Sequence, residues 1–318
     1  MMVGYQKCTP NMGTIEKYIL NILLMINQGT TYRMELRLGQ QPNSVRVNTF
    51  GNTKERILLA GPWVGEFGWE LCAWQGYVRR LSKQYNKTIV LSRAGREFLY
   101  EDFCDEFIIF DSPLSKVNGP YGETNQIKLN EILKTVHHTR HLSSFCIINP
   151  VSFNLNKSII GTEFNKQDFI KYSSNTINKQ YDILIHPRNK IVGGIRNWNI
   201  DNYNKLVLLL KEDYSVAEIG TDEAFKLDDI DDYRNISLRD TVSLMNRTKL
   251  VVGGASGPIH LASLCGAPHF LWSEEYSRPR FTTHWNPHNA KMFFHLITHW
   301  NPTVDEIYNG IIKSIKVL

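Results

Sequence analysis

The sequence predicts an α/β protein of two Rossmann-like lobes behind an N-terminal helix and hairpin, and three observations lead there. Two blocks, from Arg56 to Ile148 and from Tyr181 to the C-terminus, alternate short apolar runs with helical stretches. Successive βα units of this kind give parallel sheets with right-handed crossovers, which bind ligands at the carboxyl ends of their strands. At 318 residues the chain exceeds a typical single core, so two units of about 150 residues are expected. The third observation is the run from Leu250 to Pro268, which reads as buried strand, glycine-rich turn, helix and exit.

Taken in order, residues 1–55 form an extension. Thr14 to Asn27 has helical periodicity, while Tyr32 to Leu38 and Ser44 to Phe50 alternate as strands around a turn-like Gly39-Gln-Gln-Pro-Asn43. Ile19 to Ile26 is the most lipid-like segment, but it is short, follows no basic region and lacks a small-residue cleavage site, so it reads as a buried helix. The first lobe, residues 56–175, opens with strand Ile57 to Ala60 and the loop Gly61 to Gly65. A helix follows from Glu66 to Lys83, with Leu71, Trp74, Val78 and Leu81 on one side. Strands at Thr88 to Ser92, Glu106 to Phe110 and Phe145 to Ile148 follow, with a helix near Leu129 to His141. Asn149 to Gln180 is rich in Asn, Ser and Lys and reads as the connection between lobes.

The second lobe, residues 176–318, begins with strand Tyr181 to Ile185. It continues through a helix at Asn202 to Lys211, a strand at Ser215 to Ile219 and a helix at Leu238 to Arg247. Strand Leu250 to Val252 comes next, and an amphipathic helix, Val304 to Val317, closes the chain. In the central run Gly253 and Gly254 would let the backbone turn, Ser256 could cap the helix, and Pro258 suits a first turn. A helix starting there aims its free N–H groups and positive dipole end at whatever lies above the strand, which suits an anion site, although the same run also reads as a plain tight βα connection.

Composition narrows the classes. Hydrophobic residues are 42%, charged residues 21% and the formal charge is +5 without a Lys/Arg tract. A nucleic-acid acceptor is thus permitted but not indicated. Cys8, Cys72, Cys104, Cys146 and Cys265 stand singly with no C-x-x-C pair, which points away from a zinc site or disulfide framework and towards the cytoplasm. Asp228-Asp-Ile-Asp-Asp232 lacks the glycine and spaced ligands of a calcium loop and reads as a solvated acidic loop. His284, His288, His295 and His299 fall among prolines that oppose a metal-binding helix, and read as a structured loop. No metal or cofactor is expected.

The loop Gly61-Pro-Trp-Val-Gly-Glu-Phe-Gly-Trp-Glu70 places two carboxylates, Glu66 and Glu70, among glycines and aromatics. A carboxylate beside aromatic walls is partly desolvated, which raises its pKa towards that of a general base; either residue could instead serve only the helix dipole. Gly65 allows close approach, and Trp63 is a candidate platform for a sugar face as well as a core residue. At the head of the second lobe, Arg188 and Arg196 are permanent cations in loops after a strand, fit for phosphate or for plain solvation. His260 sits one turn into the central helix, where packing is favoured over a ligand contact.

The motif Ser256-Gly-Pro-Ile-His-Leu-Ala262 resembles the S-G-P-x-H-L-A signature of the heptosyltransferase-like glycosyltransferases, with Ala255 where that family usually carries an acid. The resemblance spans about residues 56–318. It implies a GT-B fold, two lobes facing across a cleft, in which Ser256, Gly257, Pro258 and His260 cradle the pyrophosphate of a nucleotide-sugar donor. It further implies that Glu66, paired with Gly65, takes the place of the family's aspartate base, with Glu70 in reserve. Arg196, two residues before Trp198, matches the family's phosphate-binding cation, and Thr221 lies in the loop near the donor nucleoside. The implied reaction is metal-independent, inverting transfer of a sugar to a hydroxyl acceptor, which stays open among glycan, lipid-linked glycan, protein and modified DNA. His186-Pro-Arg188 also looks like a fucosyltransferase stretch, so another donor, an epimerase-like enzyme and a silent sugar-nucleotide or glycan-binding protein remain as rivals. Oligomeric state is left open.

Overall fold

A computed structural model describes residues 32–35, 45–49, 56–110, 131–136, 145–148, 167–191 and 193–318. They form two six-stranded sheets. The helix expected at Thr14 to Asn27 lies outside the described residues.

The first sheet holds β1 (Tyr32–Glu35), β2 (Val45–Thr49), β3 (Ile57–Ala60), β4 (Lys87–Ser92), β5 (Glu106–Ile109) and β6 (Phe145–Ile148), in the order β1-β2-β6-β3-β4-β5. β6, β3, β4 and β5 are parallel, and the expected hairpin, β1 with β2, adds two antiparallel strands to the free edge of β6. The extension therefore completes the first sheet. β3 is buried along its whole length, as its unbroken apolar run requires.

The second sheet holds β7 (Tyr181–His186), β8 (Val216–Gly220), β9 (Asp231–Arg234), β10 (Thr248–Gly254), β11 (His269–Ser273) and β12 (Met292–Leu296). All are parallel in the order β12-β11-β10-β7-β8-β9. Strand order thus reverses between β7 and β10, and a crevice opens outside their carboxyl ends, where doubly wound sheets bind ligands.

Helix α1 follows β3 in three pieces, an α-helical turn at Phe67–Trp69, a π-helical stretch at Glu70–Trp74 and an α-helix at Gln75–Ser82. A short helix α2 covers 131–136. The second lobe contributes α3 (Ile200–Leu210), α4 (Leu238–Asn246), α5 (Gly257–Cys265) and α6 (Val304–Ile315). Side-chain caps start three of them: Asn199 accepts from Asp201 N, Ser237 from Asp240 N, and Thr303 from Glu306 N within a capping box. No helix among the described residues is long and apolar enough to cross a membrane.

Several expectations give way. β10 runs on through Gly253 and Gly254, neither of which has a left-handed φ. What they allow is close packing: a Cβ on Gly253 would lie 3.2 Å from the His186 carbonyl oxygen, and one on Gly254 would lie 3.1 Å from Trp272 Nε1. The acidic run ends in strand β9, and its carboxylates pair with Lys179, Lys211 and Arg234, so they are spent on neighbours. His295 belongs to β12 and His284 to a π-helical turn, in place of one continuous loop.

Residues 167–180, the end of the predicted connection, are tied down. Arg79, 4% exposed, donates to Asp102 through Nε at 2.7 Å and Nη2 at 3.0 Å, and also to the carbonyl of Asp168 and the hydroxyl of Tyr172. Tyr172 in turn donates its N–H to Leu264 O on α5 and accepts from Asn246 on α4. Helix α1 is thereby strapped to two helices of the other lobe.

Candidate active site

The two lobes meet at the first turn of α1 and the first turn of α5. A Cβ on Gly68 would lie 3.2 Å from His260 Cδ2 and 3.6 Å from Gly257 Cα, and one on Gly257 would lie 2.8 Å from Phe67 Cδ1. Only glycines let the two backbones come this close. The Phe67 ring is covered on one face by the Arg96 guanidinium, 3.9 Å from its centroid. Beside this contact Trp69 packs edge-on against Trp285, ring centroids 5.2 Å apart. On the outer flank Arg239 pairs with Glu101 and stacks on Phe98.

The start of α5 stays half-exposed at Ser256, Gly257 and Pro258. Ser256 occupies the N-cap position but does not cap; its Oγ lies 3.1 Å from His186 Nδ1 at the end of β7. His260 is buried, stacked on Phe281 at 4.4 Å and edge-on to Trp285 at 4.6 Å, and its Nδ1 has no hydrogen-bond partner among the described residues. Burial, helped by the charges of Arg280, His269 and Arg196, holds it well below the usual histidine range, so the ring is neutral.

Cations gather over this helix start. Arg188, 2% exposed, bonds Asn197 Oδ1, and Arg196 Nη1 lies 3.4 Å from the carbonyl of Ala255, the residue standing where the resembling family has its acid. Asn197 also bonds both N–H and C=O of Lys190, which closes the loop carrying all three cations. Burial and the like charge of Arg196 pull Arg188 down to about 10, while Tyr203 and Glu66 oppose the shift. Lys190, although exposed, is lowered by partial desolvation, with Glu66 and Glu223 raising it and Arg188 and Arg96 lowering it further. Cations that are partly desolvated and lie near like charge mark a place where an anion is welcome.

Glu66 is the acidic group that reaches this field from the first lobe. It precedes α1 in extended conformation, its side chain makes no capping bond, it is half-exposed, and its charge is felt by both Arg188 and Lys190. Glu70 is placed otherwise. At 1% exposure it accepts from Ser92 Oγ at 2.5 Å and Tyr100 Oη at 2.8 Å and pairs with Arg96 at 3.5 Å, an interior structural role. Trp63, fully buried and stacked on Trp74 at 5.6 Å, offers no face to a sugar, and Gly65 is buried beside it. Thr221 is exposed at the end of β8, two residues before Glu223.

Sequence reading passed over Arg93 and Arg96, which extend the cationic field from the first lobe. Burial lowers Arg93, with Glu70 and Glu223 raising it and Arg96 lowering it. They follow the carboxyl end of β4, so the rule that singled out the loop after β3 would have found them. A cavity of about 620 Å³ opens next to the Arg196 loop, lined by Asn197, Trp198, Phe225, Glu274 and Trp300, a size that suits a small-molecule site.

No protein-family model and no curated protein matches this sequence. Solved structures do. A family 9 glycosyltransferase from Veillonella parvula superposes with a TM-score of 0.55 at 12% identity, covering 83% of this chain and 97% of that one. The E. coli ADP-heptose lipopolysaccharide heptosyltransferase II gives a TM-score of 0.54 at 15% identity, covering 82% and 99%. The likeness is one of architecture, and by it the chain has the GT-B fold of the heptosyltransferase-like glycosyltransferases.

Proposed function

We propose that the chain is a GT-B glycosyltransferase whose second lobe, residues 176–318, holds a nucleoside-diphosphate sugar and whose first lobe, residues 56–175, presents the acceptor hydroxyl. One observation supports this reading: the half-exposed start of α5 has Arg196 3.4 Å from the Ala255 carbonyl just before it and meets the first turn of α1 at Gly68, next to Glu66, whose charge couples to Arg188 and Lys190.

In the proposed reaction Glu66 takes the acceptor hydroxyl proton as the oxygen attacks the anomeric carbon from the face opposite the nucleotide. The bond between that carbon and the diphosphate oxygen breaks, inverting the centre, and the electron pair leaves with the nucleoside diphosphate. Negative charge grows on the leaving group, where the arginines and the amides of α5 stabilise it without any proton transfer. Ser256 and Gly257 line that helix start, Pro258 shapes its first turn, and Thr221 borders the donor side. Donor and acceptor held in one cleft also convert a bimolecular encounter into an oriented one.

The test is transfer and donor hydrolysis measured with ADP-, GDP- and UDP-sugars over a panel of glycan acceptors, for wild type and Glu66→Gln. Wild-type turnover with one donor class, a loss of about 10²- to 10⁴-fold in kcat for the variant and retained donor binding are expected. Full activity in Glu66→Gln would remove the base from the reading. Absence of wild-type turnover alongside tight donor binding would favour a silent binding protein.

A further inference from the structure

His186 closes strand β7 in the middle of the site and is 5% exposed. Glycine makes room for it on both sides: a Cβ on Gly253 would lie 3.4 Å from His186 Cβ, and one on Gly220 would lie 3.5 Å from its Cδ2. The ring is therefore locked between β8 and β10, with Nδ1 set 3.1 Å from Ser256 Oγ.

That contact accompanies a local exception. The N-cap residues of α3, α4 and α6 each turn a side-chain oxygen onto a helix amide, whereas Ser256, a residue type that caps as well, is held at φ −158° against −62°, −60° and −72° in those three and does not. Its hydroxyl is engaged by His186. Pro258 has no N–H, so the leading amides of α5 belong to Gly257 and Ile259. On the same helix the buried His260 leaves Nδ1 without a partner, within the field of Arg196.

We propose that His186 is a positioning residue: by engaging the Ser256 hydroxyl it withdraws the side-chain cap from α5 and keeps the helix's leading amides open to the donor diphosphate. The inference rests on the donor reading given above. Burial beside Lys190 and Arg188 pushes the His186 ring down to about 3, so it adds no charge of its own near neutral pH. Either neutral tautomer holds Oγ, as donor or as acceptor. With His186 absent, the serine hydroxyl is released to cap the helix, and the donor must compete with it.

A double-mutant cycle on nucleoside-diphosphate binding tests this, with ADP, GDP and UDP as calorimetric probes. For the tightest of the three, His186→Ala should weaken binding about tenfold, the scale of one helix cap. His186→Asn, whose amide oxygen falls near the Nδ1 position, should stay within roughly threefold of wild type. In the Ser256→Ala background, His186→Ala should change binding by less than about twofold, because there is no hydroxyl left to release. Donor KM should rise and kcat fall in the same pattern, because the amides that hold the diphosphate also stabilise it as it leaves. Equal losses in both backgrounds, or unchanged binding in a folded His186→Ala, would overturn the inference. If that variant does not fold, His186→Gln, whose amide reaches towards the Nε2 position, takes its place with the same expected loss. A wild type that binds none of the three diphosphates sinks the donor reading and this inference together; equal losses with tight wild-type binding sink this inference alone.

Discussion

Replacing Gly257 with alanine places a methyl group where the two lobes touch. The new Cβ would lie 2.8 Å from Phe67 Cδ1 and 3.4 Å from Gly68 N, against the roughly 3.5–4.0 Å at which carbon atoms rest. Phe67 cannot simply retreat, because the Arg96 guanidinium covers the ring at 3.9 Å from its centroid. Overpacking of this kind costs about 1–3 kcal/mol, and the usual helical advantage of alanine over glycine returns about 0.5–1. A net loss of about 1–2 kcal/mol is expected, equivalent to roughly 5- to 30-fold. It should emerge as lowered stability in urea unfolding, as lowered kcat/KM for transfer if the lobes part to relieve it, or as both in shares that add to that figure. Phe67→Ala opens the space the methyl needs, so in that background Gly257→Ala should cost less than about 0.5 kcal/mol. A cost that is the same with and without the Phe67 ring, or no cost at all, would refute the apposition of α1 and α5 on which the site depends.

Two further outcomes follow from buried groups. His186 and His269, held at about 3 and about 4 by burial, lend stability that is complete above about pH 6.5 and is lost as pH falls below it, near 1.4 kcal/mol per unit each. Glu218, raised to about 7 chiefly by burial, acts the other way, lending stability that is complete below about pH 4.5 and lost as pH rises through 7. From pH 7.5 to 5.5 the two histidines should remove about 3 kcal/mol and Glu218 return about 2, with His260 adding to the loss. Urea midpoints should therefore fall more steeply over that range in Glu218→Gln than in wild type, and parallel slopes would contradict the assignment. Trp63→Ala should lower stability by about 3–5 kcal/mol, while Trp63→Phe retains most of it and leaves the acceptor KM unchanged; a raised acceptor KM in a stable Trp63→Phe protein would show that the indole does reach the sugar.

The distinction between Glu66 and Glu70 shows where sequence reading stops. Both carboxylates sit in one glycine- and aromatic-rich stretch, four residues apart, and nothing local separates them. Separation comes from Ser92, Tyr100 and Arg96, which arrive from the strand and turn after α1 to close around Glu70. Trp63 is a similar case: its loop position suggested access, but Trp74, eleven residues on, covers it. β9 escaped notice because four residues carrying two aspartates and an arginine lack the apolar alternation that marks a strand, and its pairing to β8 supplies what its composition does not.

By itself the sequence determined the two alternating βα blocks, the antiparallel hairpin at β1 and β2, the helix start at Gly257 and the clustering of cations after β7. Each depends on short-range rules, such as the period of apolar residues, the backbone freedom of glycine or the missing N–H of proline, and such rules act within a few residues. Tertiary structure alone decided that the Ser256 hydroxyl meets a histidine 70 residues away, that Gly68 and Gly257 are glycines because two lobes meet there, and that the charge of Glu66 reaches Arg188 and Lys190 while Glu70 is enclosed by Ser92, Tyr100 and Arg96. Those outcomes depend on which surfaces approach within a few ångströms after folding, a distance that spacing along the chain does not encode.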